Sequence, residues 1–196
     1  MPEPHTEILT KTQMKALLAA CAGRDFSDRR DAAVILLLAD TGMRRSELAG
    51  LTTEDLDLRA RLVYVEGKGD ATHRKRHRTV PFGARTAQAV DRYLRSRRMH
   101  GRADSPDLWL SQKGRLTSDG IRQMLERRGR EIGVRLYAHM FRHGFADAWL
   151  RSGGAEGDLQ ELAGWKSRVM LRRYAAANRA ERAREAYRRL SPIDAL

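Results

Sequence analysis

The chain has 196 residues, enough for one well-cored domain, and 41% of them are hydrophobic, so it is expected to fold. Its 38 Lys and Arg against 25 Asp and Glu leave a formal charge of +13, which favours a polyanionic partner over an anionic membrane; a basic protein without such a partner is the alternative. Cys21 is the only cysteine, so the chain cannot form an intrachain disulfide. No apolar run approaches the roughly 18 residues of a membrane span, and we therefore expect a soluble, cytoplasmic protein.

Two helices are predicted in the first quarter of the chain. Residues 10–13 match a capping box, which opens a helix that passes Cys21 and stops at Gly23. The second helix starts at Ser27 or Asp28. Its residues 32–39 are apolar on nearly all sides, so we expect it to be the central core helix.

The second helix ends in a segment with a candidate functional arginine. It stops at Gly42, and Arg44 and Glu47 follow at a spacing of three residues, so the carboxylate can hold the guanidinium in one orientation. Leu48 and Leu51 anchor this turn in the core. An arginine held at the mouth of a buried helix is well placed to act on a ligand; an ordinary helix-surface ion pair is the alternative.

The hydrophobic period changes in the next segment. Residues 56–58, 62–65 and 79–82 are typical of three short strands, which we expect to form an antiparallel sheet. The connection 67–78 is glycine-bounded and strongly basic, which indicates a hairpin against a nucleic-acid backbone; a solvated loop is the alternative. Lys68 lies between two glycines and is able to approach a ligand closely.

The remaining pattern is helical, and no segment has the composition of a linker between domains. The sequence therefore predicts a single domain over residues 1–196, with its core at about 7–190 and a tail at 191–196. Its class is mainly α with a small three-stranded antiparallel β-sheet. The further predicted elements are a helix at 83–99, a buried segment at 108–110, a helix from Thr117 or Ser118 to Gly129 or beyond, and a basic helix at 178–190.

A histidine and an arginine, His139 and Arg142, lie three positions apart and would share one face of a helix. A phosphate diester needs a cation that grips its oxygens, a proton shuttle and a nucleophile. Arg142, His139 and Tyr174 suit these three tasks. His139 and His143 suggest zinc as an alternative, but a third ligand is not evident. We expect Tyr137, close to His139, to be structural and not a nucleophile.

Five motifs together resemble the tyrosine site-specific recombinases, also called phage integrases. They occur in that family's order and approximate spacing, and they are residues 41–48, 67–69, 139–143 and 162–165 and Tyr174. The resemblance covers about residues 7–190 and implies the family's catalytic domain, which is mostly helical with a small sheet. The N-terminal helical domain that closes around the duplex in that family is expected to be absent from this chain.

The resemblance also implies a role for each site residue. The catalytic set is Arg44, Lys68, His139, Arg142, Trp165 and Tyr174, with Tyr174 as the nucleophile and Lys68 as the lysine of the strand hairpin. Glu47 and His143 are expected to support it. The residues expected to contact DNA are Arg45, Arg74, Lys75, Arg76, Arg78, Lys166, Arg172 and Arg173.

The activity implied is cleavage and rejoining of DNA strands through a 3'-phosphotyrosine, without a metal or cofactor. The expected partners are double-stranded DNA and further copies of the chain, assembled as a tetramer through exchange of C-terminal tails. A non-catalytic DNA-binding regulator derived from a recombinase is the alternative, although all the catalytic positions are filled. An RNA-binding protein is disfavoured, because only 6% of the residues are aromatic.

Overall fold

The computed structural model describes residues 7–66 and 77–165, together with Arg184, Tyr187, Arg188 and Ser191. Its helices are α1 Lys11–Ala20, α2 Phe26–Thr41, α3 Arg45–Gly50, α4 Ala84–Arg97, α5 Ser118–Glu131, α6 Ala138–Arg151 and α7 Glu156–Ala163. Its strands are β1 Leu56–Asp57, β2 Leu62–Glu66, β3 His77–Pro81, β4 Leu110–Ser111 and β5 Gly114–Arg115. The predicted class, mainly helical with a small antiparallel sheet, is confirmed.

The predicted starts of α1 and α5 agree with the observed ones because local capping bonds determine them, whereas α2 begins at Phe26, one or two residues before the predicted Ser27 or Asp28. Thr10 Oγ1 accepts the Gln13 backbone N–H at 3.1 Å, and Gln13 Oε1 accepts the Thr10 N–H at 2.9 Å, which completes the predicted capping box of α1. Thr117 caps α5 by accepting the N–H of Gly120. These bonds satisfy amide donors that have no partner inside the helix.

Helix α2 is the centre of the core, as predicted, and packs against α4 and α6. Val34, Ile35, Leu37 and Leu38 are fully buried on it. The helix ends at Gly42, whose φ of 59° and ψ of 17° are left-handed, a conformation that glycine adopts without a steric cost. Arg44 therefore lies two residues after Gly42, at the C-terminal end of the central helix.

The first half of α2 also buries charge, which the apolar pattern did not predict. Asp31 is fully buried and accepts hydrogen bonds from three guanidiniums, those of Arg30, Arg127 and Arg128. Arg128 also donates to the Ala20 carbonyl at the end of α1. This cluster joins α1, α2 and α5, and removing one partner of such a buried group typically costs about 3–5 kcal/mol.

The predicted three strands form one antiparallel sheet in the order β1-β2-β3. In its register Val63 lies opposite Val80 and Val65 opposite Arg78. Val63, Val65 and Val80 are buried against the core, whereas Tyr64 between them is 43% exposed, as the two-residue period of a strand requires. The sheet thus fixes both ends of the connection 67–76, which lies outside the described residues.

Two further features were not predicted. The segment at 108–110 continues into a second, two-stranded sheet, in which Ser111 pairs with Gly114. A separate apolar cluster joins α6 to α7 and consists of Ala146, Leu150, Leu159, Ala163 and Trp165, with Phe145 and Trp149 partly buried against it. Within the described residues, no helix is both long enough and apolar enough to cross a membrane.

Candidate active site

Arg44 lies immediately before α3, and its predicted pairing with Glu47 is present. Its Nη1 donates to Glu47 Oε1 at 2.7 Å, and its backbone N–H donates to Glu47 Oε2 at 2.8 Å. The Glu47 side chain is 5% exposed, whereas that of Arg44 is 43% exposed. The buried carboxylate therefore holds the guanidinium in one orientation and leaves part of it open to a ligand.

Arg142 lies in the first half of α6 and is almost fully buried. Its Nη1 donates to the Gly42 carbonyl at 2.6 Å, and its Nη2 donates to the Ala163 carbonyl at 2.7 Å. Its Cζ lies 5.2 Å from the centre of the Trp165 ring, in cation–π contact. The two carbonyls come from the C-terminal ends of α2 and α7, where the helix dipole is negative and favours a cation.

The C-terminal end of α7 brings three arginines together. The carbonyls of Leu162, Ala163 and Gly164 accept, in that order, from Arg78 Nε at 3.0 Å, Arg142 Nη2 at 2.7 Å and Arg44 Nη2 at 3.3 Å. A helix leaves its last carbonyls without partners inside the helix, so they are available to side chains from elsewhere in the fold. In this way the structure places the guanidiniums of Arg44 and Arg142 beside each other.

Arg78 lies in β3 and has contacts other than those predicted for it. Its Nη1 and Nη2 donate to Glu47 Oε1 and Oε2 at 3.1 and 2.8 Å, and its side chain is only 10% exposed. A contact between Arg78 and DNA is not supported by this placement, because the guanidinium is turned inward onto Glu47 and α7. A signal for this was present in the sequence: Arg78 shares a strand face with Val80, which is apolar and buried.

His139 is in the first turn of α6, exposed, and close to the arginines. Partial burial, followed by the charges of Arg142, Arg44 and Arg45, lowers its pKa below the ordinary value of 6.5. The neutral imidazole is therefore its main form at neutral pH, as a proton acceptor requires. The ring of His143, one turn later, meets it edge-on with 5.6 Å between the ring centroids.

The charges of the site are set by burial and by the arginines. Burial, the largest single effect, works to raise the pKa of the Glu47 carboxyl, but hydrogen bonds from Arg78 and Arg44 outweigh it and lower that pKa. Burial and the neighbouring charge of Arg44 lower the pKa of Arg142 to about 10. At neutral pH Glu47 is therefore ionised and Arg142 protonated, so the site combines one carboxylate with three guanidiniums.

The other predicted site residues fall into two groups. Trp165 is 6% exposed and lies against Arg142, and Arg45 Nε donates to Ser118 Oγ at 2.9 Å, which ties α3 to α5. The remainder lie outside the described residues: Lys68, Arg74, Lys75, Arg76, Lys166, Arg172, Arg173 and Tyr174.

Two alternatives raised by the sequence concern residues at the start of α6. Tyr137 precedes the helix, and its hydroxyl lies 3.4 Å from Glu7 Oε2. Burial and the Glu7 charge raise the pKa of the Tyr137 phenol, which disfavours its ionised, nucleophilic form. For the zinc alternative, the part of the chain that the structure describes contains no group of three His, Cys, Asp or Glu side chains able to hold a metal ion.

Comparison with known proteins places the chain among recombinases. Residues 7–181 match the model of the phage integrase family. The chain is 40% identical over 142 residues to tyrosine recombinase XerC of Pseudomonas syringae pv. syringae (strain B728a), which covers 71% of the chain and 46% of that protein. It is 37% identical over 163 residues to XerC of Azotobacter vinelandii, covering 82% and 52%. The chain thus spans about half the length of the curated relatives it matches.

Solved structures share the fold. The crystal structure of XerA recombinase superposes with a TM-score of 0.78 and 30% identity, over 95% of this chain and 66% of that one. XerH site-specific recombinase bound to palindromic difH substrate, in a post-cleavage complex, superposes with a TM-score of 0.74 and 23% identity, over 94% and 53%.

Proposed function

The chain belongs to the phage integrase family of tyrosine recombinases, and from that premise we propose that it cleaves and rejoins DNA strands through a 3'-phosphotyrosine intermediate. The observation that carries this proposal is the meeting of Arg44, Arg142 and the neutral His139 at one place, with the two guanidiniums held by Glu47 and the end of α7. Two guanidiniums and a proton acceptor are the groups that a phosphodiester needs.

In the proposed reaction the Tyr174 oxygen attacks the scissile phosphorus. A bond forms between that oxygen and phosphorus, and the bond between phosphorus and the 5'-oxygen breaks. The tyrosine proton passes to His139, and Lys68 protonates the departing 5'-oxygen. The covalent intermediate conserves the bond energy, so attack by a 5'-hydroxyl rejoins the strand without a nucleotide cofactor.

We assign Arg44 and Arg142 to the non-bridging oxygens of the phosphate. Negative charge grows on these oxygens in the transition state, and fixed donors in a partly buried site stabilise it without reorganisation. Trp165 contributes an indole N–H donor, but it cannot shuttle a proton, so the proton transfers rest on His139 and Lys68. Glu47 keeps Arg44 oriented, and His143 supports His139.

The partners we propose follow from charge and family. A formal charge of +13 favours double-stranded DNA, and a related XerH recombinase was crystallised with its difH substrate. Arg45, together with Arg74, Lys75, Arg76, Lys166, Arg172 and Arg173, would contact the duplex. We also propose that the chain assembles into a tetramer on DNA through exchange of the tail at 191–196. Its proposed location is in the cytoplasm, associated with DNA.

Covalent trapping on a nicked suicide duplex tests the reaction. The wild-type chain is expected to form a protein–DNA adduct that survives denaturant, and Tyr174→Phe to abolish it while retaining DNA binding, because only the attacking oxygen is lost. Gel mobility under denaturing conditions and a binding assay measure the two effects. An adduct formed by Tyr174→Phe would refute the nucleophile, and binding without any wild-type adduct would favour a non-catalytic regulator.

A further inference from the structure

We propose that Arg78 is a positioning residue of the cleavage reaction: it clamps Glu47 to the end of α7 and thereby orients both Arg44 and Arg142. The inference deepens the proposed function and rests on it. Arg78 itself does not touch the phosphate, since its side chain is 10% exposed and faces the protein interior. It acts through the groups that hold the two phosphate-binding arginines.

The contacts of Arg78 use all three nitrogens of its guanidinium at once. Nη1 and Nη2 reach the two oxygens of Glu47, and Nε reaches the Leu162 carbonyl. A planar fork that grips a carboxylate with two parallel bonds fixes direction as well as distance, which a lysine ammonium cannot do. Arg78 therefore sets the angle between Glu47 and the C-terminal end of α7.

Both phosphate-binding arginines depend on the two groups that Arg78 joins. Glu47 Oε1 accepts from Arg44 as well as from Arg78, at 2.7 and 3.1 Å. On the other side of Arg78, the carbonyl that follows Leu162 holds Arg142, and the next one holds Arg44. A shift of the end of α7 relative to Glu47 would consequently turn both guanidiniums.

The Arg78 guanidinium packs closely against Gly164 at the C-terminal end of α7. Gly164 has a φ of 63°, and a Cβ built on it would lie 2.9 Å from Arg78 Nη1 and 3.0 Å from Cζ. The left-handed turn and the guanidinium packed on it are thus both possible because this residue is glycine. The C-terminal end of α7 and the Arg78 side chain are therefore packed against each other and joined by a hydrogen bond.

Arg78 also lies close in the chain to the connection that carries Lys68. It lies two residues after the connection 67–76 and pairs in the sheet with Val65, which precedes that connection. The connection carries Lys68, the proposed acid for the 5'-oxygen. Clamping Arg78 to Glu47 therefore holds the paired ends of β2 and β3, which flank that connection, beside the arginine site.

The test compares Arg78→Gln and Arg78→Lys with a matched control, Arg128→Gln. Arg128 is similarly buried, at 8% side-chain exposure, and also binds carboxylates, those of Asp28, Asp31 and Glu131, but it joins α1, α2 and α5. Each variant is assayed for single-turnover cleavage of a suicide duplex, DNA binding and melting temperature. Should a glutamine variant fail to fold, the lysine variants at the same two positions carry the comparison.

For Arg78→Gln we expect cleavage to fall roughly 10- to 100-fold, the order associated with misplacing reacting groups by about 1 Å, while the dissociation constant for DNA changes by less than about threefold. Arg128→Gln should lower the melting temperature but leave the cleavage rate of the folded protein unchanged. Arg78→Lys should be intermediate in rate, since it retains the charge and loses the fork.

A second readout separates positioning from simple packing. Because hydrogen bonds and charge from Arg78 lower the pKa of Glu47 against the effect of burial, Arg78→Gln should move the titration of the Glu47 carboxyl to higher pH, and Arg78→Lys should move it less. The carboxyl ¹³C shift of Glu47 reports the same change in the protein without DNA.

Two results would overturn the inference and not the proposed function: wild-type cleavage by Arg78→Gln, or a fall in its rate with no change in the Glu47 titration. Absence of a wild-type adduct is a different failure, since it would remove the reaction itself.

Discussion

The two arginines of the site differ in a way that suits different tasks. Arg142 is buried, and its two terminal nitrogens already donate to backbone carbonyls, whereas Arg44 is 43% exposed. A guanidinium has five N–H donors, so Arg142 retains donors for a ligand after these two bonds. In the proposed reaction Arg142 is thus a fixed positive charge at the back of the site, and Arg44 is the arginine that an incoming phosphate would meet first.

His139 provides the pH-dependent prediction at this scale. Its pKa is lowered by burial and by three arginines, so it stays neutral down to a lower pH than an ordinary histidine. We therefore expect the acidic limb of the second-order cleavage rate, which reports the free protein, to lie below pH 6.5. A pH series of cleavage rates, with NMR titration of the His139 ring, measures it.

The charge of Arg45 offers a control for the prediction about the His139 pKa. Arg45→Gln removes one of the charges that lower its pKa, so in the protein without DNA the His139 titration should move to higher pH. A limb centred above pH 6.5 in the free protein, or an unchanged His139 titration in Arg45→Gln, would show that a different group or cause governs the profile.

At the level of elements, the end of α7 assembles the site. The last carbonyls of a helix carry partial negative charge and lack partners in their own helix, so they attract cations from other segments. Here Arg44, Arg78 and Arg142 come from the start of α3, from β3 and from α6. One helix end therefore coordinates three segments that are far apart in the chain.

Two glycines of the α7 segment test this arrangement as a matched pair. Gly164→Ala should destabilise the protein by about 1–2 kcal/mol, because a left-handed φ is strained for alanine and the new Cβ would displace Arg78; cleavage should fall as well. Gly157→Ala, in the open first turn of the same helix, should stabilise it by up to about 1 kcal/mol. Denaturant melts and cleavage assays measure both.

The opposite order of stabilities would contradict this account of the α7 end. A Gly164→Ala protein that loses stability but cleaves at the wild-type rate would show that the packing of Arg78 against Gly164 supports the fold and not the proposed reaction.

For the whole molecule, we expect charge to govern the proposed encounter with DNA. A formal charge of +13 on 196 residues predicts binding dominated by phosphate contacts, with counterions released from the duplex. If six or more phosphates are contacted, affinity should fall roughly 1,000-fold between 50 and 200 mM salt. Fluorescence anisotropy with duplexes of unrelated sequence measures this.

Tyr174→Phe is the control for the salt series, because it changes no charge and should share the wild-type slope. A fall of less than about tenfold over that range would mean that few phosphates are contacted and that the surplus charge serves another purpose.

Several features of the protein could be predicted because neighbours in the chain determine them. The capping box of Thr10 and Gln13 and the pairing of Arg44 with Glu47 span three residues, so their geometry follows once a helix forms. The run at 62–65, which is rich in β-branched and aromatic residues, predicted a strand in the same way, and the structure then showed Val63 and Val65 buried on either side of the exposed Tyr64. The family motifs indicated which residues to look for in the candidate site.

The partners of the buried charges were decided only by the tertiary structure. Arg142 donates to a carbonyl 100 residues away, Arg78 to one 84 residues away, and Asp31 accepts from Arg128 97 residues away. Every residue has a carbonyl, so no residue type identifies the one that an arginine will reach. Long-range packing makes that choice, and it places the Arg78 guanidinium between Glu47 and the end of α7.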